Sequence, residues 1–179
     1  EKEYSLSLCG EYQIENSLTA IEAVSASGFN IPYETVKKAL GATFFPARAE
    51  IISRNPLTVL DGAHNPDGAE ALAEIMKKYG GRITAIIGVM RDKDYETVLK
   101  KTLPYCRAAV AVTVENMPRS LAGEKLAAAA SKYCPCIAAE NYGAAIEKSR
   151  SSAGGDPVFV FGSLYLASGI REKLKNFYN

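Results

Sequence analysis

The chain has 179 residues, 47% of them hydrophobic, with 21 Lys+Arg set against 20 Asp+Glu. That apolar content supports a packed core and excludes a disordered chain, while the near-zero net charge argues against a nucleic-acid or anionic-membrane surface. No apolar run reaches the length of a membrane span and no signal peptide opens the chain, so the expectation is a cytoplasmic protein.

The first residue is Glu1 rather than Met, which suggests a processed chain or a piece of something longer. The cysteines are Cys9, Cys106, Cys134 and Cys136, and the last two form C-x-C rather than the C-x-x-C of redox or zinc sites. With one histidine in the chain, no metal site is expected, and the thiols read as reduced and mostly buried.

In chain order, Tyr4-Ser5-Leu6-Ser7-Leu8 alternates and predicts a strand. Ile14, Leu18, Ile21 and Val24 recur at helical spacing, and Gly28 ends that helix. Pro32 opens a second helix carrying Val36 and Leu40, followed by Gly41. This opening segment is too small to bury a core of its own, so it must pack on the rest of the chain or on something absent.

Beyond Phe44 the pattern changes. Glu50 to Ser53 and Leu57 to Leu60 read as strands joined by an Asn55-Pro56 turn. A helix with Ala69, Leu72, Ala73 and Met76 on one face runs to Gly80-Gly81. Ile83 to Val89 is a continuous apolar strand, as expected where both sheet faces are covered. A helix follows Asp94, Ala108 to Val114 is a strand, and Ser120 to Tyr133 is Ala-rich and helical. Cys136 to Ala139 is a short strand, Asn141 caps a helix, and Val158 to Phe161 is the last strand. Leu166, Ile170, Leu174 and Phe177 face one side of the closing helix. Strands and helices alternating at this spacing predict an α/β fold, with a mostly parallel sheet covered on both faces.

Ligands of open α/β sheets bind beyond the carboxyl ends of the strands. That rule selects Asp61, His64 and Asn65; Arg91, Asp92, Lys93 and Asp94; Glu115 and Asn116; and Gly162 and Ser163. Neither G-x-G-x-x-G nor G-x-x-x-x-G-K-[ST] occurs, so the usual phosphate cradles are absent from the chain. Asn65-Pro66 is explained as an N-cap and first helical residue, and Asp67 suits the positive helix terminus. Asp61 and His64 are harder to dismiss, although an acid at a strand end can cap a turn and a single histidine is often a satisfied surface group. Asp94 and Ser163 also read as N-caps.

Four separated stretches, "FPARAEII", "LDGAHNPDGAEAL", "GVMRDKDY" and "FGSLYLASGIR", with "GEYQIENSLTAIEAV" upstream, resemble the folylpolyglutamate synthases, which are Mur ligase-like ATP-dependent amide ligases and often also dihydrofolate synthases. The resemblance implies a Rossmann-like C-terminal domain over residues 44–179, preceded over residues 1–43 by a strand and two helices from the end of a central ATPase domain. It implies ATP, L-glutamate and folate or dihydropteroate as substrates. Mg2+ is implied as a cofactor whose ligands, like the phosphate loop, lie in an N-terminal part outside this chain. That missing ATPase domain is the implied partner, and a monomer the implied state.

The reaction implied is phosphorylation of a folate carboxylate, then attack by the glutamate amine on the acyl phosphate. By the same resemblance Arg48 reaches ATP phosphates, Asp61 contacts the ribose, His64 lies near the nucleotide and Asn16 near the adenine. Lys93 and Ser163 hold the incoming amino acid's carboxylates. Arg48 and His64 are the implied catalytic pair. Two departures stand out: Tyr12 replaces a usual histidine, and Ala47 replaces the glycine of a P-G-R motif. A Mur-type peptidoglycan ligase domain and a non-catalytic Rossmann-like binding module are the alternatives. This chain alone is expected to lack ligase activity.

Overall fold

A computed structural model describes residues 3–178. Helices α1 (Tyr12–Ala26) and α2 (Tyr33–Ala42) open the chain, followed by strands β1 (Glu50–Arg54) and β2 (Leu57–Leu60). Helix α3 (Pro66–Lys77), β3 (Ile83–Ile87), α4 (Tyr95–Thr102) and β4 (Cys106–Val112) come next. The chain ends with α5 (Gly123–Ala130), β5 (Cys136–Ala139), α6 (Tyr142–Ala153), β6 (Val158–Phe161) and α7 (Leu164–Tyr178).

The six strands form one sheet in the order β1-β2-β6-β3-β4-β5. Only β1 is antiparallel, paired with β2; every other neighbouring pair is parallel. Strand β6 lies between β2 and β3, so the α3 crossover spans it.

Strand alternation divides the core between the two sheet faces. Val59, Ala85, Ile87, Phe159 and Phe161 meet Leu72 and Met76 of α3, Leu99 of α4 and Leu126 of α5. Leu60, Ile86, Val110, Val158 and Val160 meet Ile146 of α6 and Leu166, Ile170 and Leu174 of α7. Each fully buried Leu, Ile or Met side chain contributes about 1.5–3 kcal/mol by leaving water. The wholly buried β3 is therefore the centre of the molecule.

Helix α3 shows how sequence becomes placement. Ala69, Leu72, Ala73 and Met76 form one buried stripe. Asn65 accepts a hydrogen bond from the Gly68 N–H at 2.8 Å, and Pro66 takes the first helical position. Glycines 80 and 81 then turn the chain with positive φ. Asn141 caps α6 in the same way, accepting from the Ala144 N–H at 2.9 Å.

Several expectations need correction, among them the helix read over Ser120 to Tyr133, which is the shorter α5. Residues 4–8 do not form a strand. The alternation is physical, since Tyr4, Leu6 and Leu8 are half-buried while Ser5 and Ser7 are exposed. A strand also needs a neighbour to pair with, and among the described residues this segment instead lies against the end of α2, where the Ser7 N–H donates to Leu40 O at 3.3 Å. Gly41 lies within α2 rather than after it, and β4 starts two residues before the predicted position.

Helices α1 and α2 bury little. Gln13 is the one buried residue of α1, and α2 has none. Ile14 and Leu18 are more than half exposed, as are Phe44 and Phe45. Of the cysteines, all free, Cys106 and Cys134 are buried, Cys136 is half-buried and Cys9 is exposed.

Strand β5 leaves one edge of the sheet open, with Ile137 51% exposed. Lys148 of α6 reaches this edge, donating to Ala138 O at 3.2 Å and pairing with Glu140 at 3.0 Å. No described helix is long and apolar enough to cross a membrane.

Candidate functional site

The carboxyl ends of β2, β6, β3 and β4 share one rim, and two cavities open there. The first, of about 540 Å3, brings together Asn16, Arg48, Asp61 and His64 with Tyr12, Gln13, Phe45 and the amino end of α3. The second, of about 510 Å3, brings together Lys93 and Ser163 with Arg119, Met90 and Tyr165. His64 and Leu164 line both, so they form a common wall.

Asp61 is 5% exposed. One carboxylate oxygen accepts from the Ala49 N–H and the other from the Ala63 N–H, each at 2.7 Å. Burial pushes its pKa up, against the opposing pull of those two amides and of the Arg48 charge. Asp61 is thus a strut between the end of β2 and the loop carrying Arg48. Each oxygen keeps a second lone pair for a ligand hydroxyl.

Arg48 lies between Ala47 and Ala49, both with left-handed backbones at φ 56° and 47°. Glycine tolerates that conformation, whereas alanine is strained by about 1–2 kcal/mol. The loop is held by the Ala47 N–H donating to Glu50 at 3.0 Å, the Gly62 N–H donating to Ala47 O at 2.7 Å, and the Asp61 contact. The Arg48 side chain is exposed and rests over the Phe45 ring, its guanidinium carbon 5.9 Å from the centroid. Among the described residues it makes no ion pair.

His64 Nδ1 lies 2.9 Å from Gly62 O. A carbonyl only accepts, so Nδ1 carries the proton and a neutral ring leaves Nε2 as an acceptor. Asn16 sits on the exposed side of α1 and donates to Gln13 Oε1 at 3.1 Å. Burial raises the Tyr12 phenol, with the Asp61 charge adding to the shift.

In the second cavity, Ser163 is buried and its Oγ accepts from the Tyr165 N–H at 3.0 Å, capping the start of α7 while its O–H stays available to donate. Gly162 leads into it at φ 115°, where a Cβ would sit 2.9 Å from Gly88 O, so the turn between β6 and α7 requires glycine. Lys93 is exposed and, among the described residues, has no ion pair. Arg119 is paired with Asp92 at 2.7 Å.

Asp94, Asn65 and Glu115 are scaffold. Asp94 accepts from the Thr97 N–H at 3.1 Å, capping α4. Glu115 accepts from the Tyr142 N–H at 3.1 Å at the start of α6. Arg119, Tyr165 and Phe45 were not selected from the sequence. Following the loop after β4 beyond Asn116 reaches Arg119, whereas Phe45 carries no polar group and the Tyr165 hydroxyl does not by itself set it apart from the other tyrosines of the chain.

The profile of the Mur ligase glutamate ligase domain matches residues 47–164. The chain belongs to this Mur ligase family. It is 33% identical over 175 residues to the folylpolyglutamate synthase of Lacticaseibacillus casei, covering 93% of this chain and 39% of that protein. It is 31% identical over 178 residues to the dihydrofolate synthase/folylpolyglutamate synthase of Bacillus subtilis, covering 94% and 40%. The Mycobacterium tuberculosis folylpolyglutamate synthase complexed with ADP aligns with a TM-score of 0.87 at 29% identity, over 94% of this chain and 41% of that chain. The chain therefore spans about two-fifths of the length of the curated relatives it matches. The matched Mur ligase segment contains Arg48, Asp61, His64, Lys93 and Ser163, while Asn16 lies before it.

Proposed function

We propose that this chain is the C-terminal part of an ATP-dependent amide ligase that adds L-glutamate to folate, and that it supplies the nucleotide-facing and amino-acid-facing walls of the active site. In this reading residues 1–43 belong to the end of a central ATPase domain and residues 44–179 form the C-terminal domain of a monomeric protein. The observation that carries the reading is the pair of cavities with a common wall. Arg48 stands without an ion-pair partner in one and Lys93 in the other, among the described residues.

Arg48 suits a triphosphate, because a guanidinium stays charged and bonds two oxygens at once. Charge that builds on the transferred phosphoryl group is stabilised by such a fixed cation. His64 Nε2 accepts from a ribose or phosphate-bound proton, Asp61 accepts a ribose hydroxyl, and Asn16 sits where an adenine edge would lie. In the second cavity Lys93 and the Ser163 hydroxyl hold the carboxylates of glutamate, with its amine turned toward the His64 wall. There it meets the acyl phosphate, forms the amide and releases phosphate.

The described residues include no cluster of three or more His, Cys, Asp or Glu side chains placed to hold a metal. In this reading the Mg2+ ligands lie in the N-terminal part outside this chain, and no step here runs through the ion. The non-catalytic alternative is disfavoured because the six residues to which the resemblance gives roles, Asn16, Arg48, Asp61, His64, Lys93 and Ser163, all line one or the other cavity. The Mur-type alternative is disfavoured by the folate names of the relatives that match nearly the whole chain.

The test is ADP release with ATP and glutamate, with and without tetrahydrofolate, in a protein extended to the length of these relatives. Folate-dependent release that falls at least about a hundredfold in Arg48→Ala is expected for loss of a phosphate-stabilising donor. Release indifferent to folate would sink the reading. This chain alone is expected to show none.

A further inference from the structure

We infer that Glu50 and Arg171 are positioning residues that set the Arg48 loop before any anion arrives. The inference rests on reading Arg48 as the phosphate-facing cation.

Arg171 of α7 grips Glu50 as a fork, with Nε 2.9 and 3.0 Å from the two carboxylate oxygens and an Nη nitrogen at 2.7 Å. Glu50 in turn accepts from the Ala47 N–H. Its side chain is only 7% exposed, and that of Arg171 22%. A bidentate pair fixes direction as well as distance.

The adjacent rings repeat the arrangement: Arg171 lies over Phe44 at 5.7 Å, and Arg48 over Phe45 at 5.9 Å. The loop between them is the one with two left-handed alanines. Strain of this kind persists only where the surroundings over-determine it. Asp61 secures the Ala49 side of Arg48, so Glu50 and Arg171 secure the other. Helix α7, whose Leu164 lines both cavities, thereby also reaches the Arg48 loop through a residue that lines neither.

Two measurements test this. In this chain, NMR amide exchange at Ala47 is expected to rise about tenfold or more in Glu50→Ala, and to rise in the gentler Arg171→Lys, with β3 and β6 amides unchanged. Unchanged exchange at Ala47 overturns the inference. In the protein extended to the relatives' length, Glu50→Ala and Arg171→Lys are each expected to lose about ten- to a hundredfold in kcat/KM for ATP.

The same changes on an Arg48→Ala background should cost little more, because a positioning residue acts only through the group it positions. Full additive losses on that background, or no loss in the single variants while Arg48→Ala is impaired, would also overturn it. If Arg48→Ala loses nothing, or the parent protein shows no turnover, the functional reading fails instead, and the exchange result then describes a loop without that role.

Discussion

Two carboxylates hold the Arg48 loop from opposite sides, and their titrations run in opposite senses. For Glu50, burial works to raise the pKa, but the Arg171 hydrogen bonds, the Ala47 N–H and the Arg171 charge outweigh it and hold the group below the usual glutamate range. Its stabilisation is present above the unfolded value and is lost as pH falls through the lower folded value. Asp61 is raised, mainly by burial, so its ionisation opposes folding, and stability is regained as pH falls through the folded value. Glu50→Gln should therefore cost most near neutral pH and less in acid. Asp61→Asn should cost about 1–3 kcal/mol through one unmatched buried amide, a cost that grows as pH falls toward the usual aspartate range. Urea midpoints at two pH values check both, and parallel pH profiles would contradict the assignment. Thr84 is a separate case, a wholly buried hydroxyl in the middle of the fold with no partner among the described residues. Thr84→Val removes the unmet group at nearly constant shape and should stabilise by about 1 kcal/mol. A lower unfolding midpoint would show that the hydroxyl is satisfied in solution.

At the scale of elements, the site is a set of strand ends and helix starts, and for that reason much of it was legible in the sequence. The stretch from Leu57 to Asp67 carries an apolar run, an abrupt acid and a capping Asn-Pro; the run and the cap each have one local meaning, whereas the acid reads either as a turn cap or as a site group. Asn65→Ala removes the acceptor for the Gly68 N–H and should cost about 1 kcal/mol. Because α3 begins one residue after Asn65 and His64 precedes it, the variant should also broaden the His64 imidazole signals by NMR; sharp, unshifted signals would show that the cap does not steady the histidine. The Arg48 loop was less legible. Its left-handed alanines follow no local preference, and they are held by Arg171, 121 positions from Glu50. Likewise the alternation in residues 4–8 was real but could not disclose that a pairing neighbour was missing.

Across the whole molecule, the two halves differ in how they are held. The central strands β3 and β6 are buried on both faces, whereas α1 and α2 together bury a single residue, Gln13. Hydrogen exchange should accordingly be slowest in β3 and β6 and fastest, among the helices, in α1 and α2. Protection in α1 equal to that in β3 would contradict this. Fold class was readable because periodicity and strand–helix alternation are local signals summed along the chain. The position of β6 between β2 and β3, and the meeting of two cavities at His64, arise from long-range packing and became visible only in three dimensions. The open β5 edge has a consequence in concentrated solution. An exposed edge strand is a template for another chain, and Ile137 would make the join apolar. The Lys148 amine on Ala138 O blocks that template. Lys148→Met should raise light scattering at concentrations where the parent stays monodisperse, and equal scattering would show another guard. Colloidal behaviour would then depend on a single ammonium group that lines neither of the cavities where the chemistry is proposed.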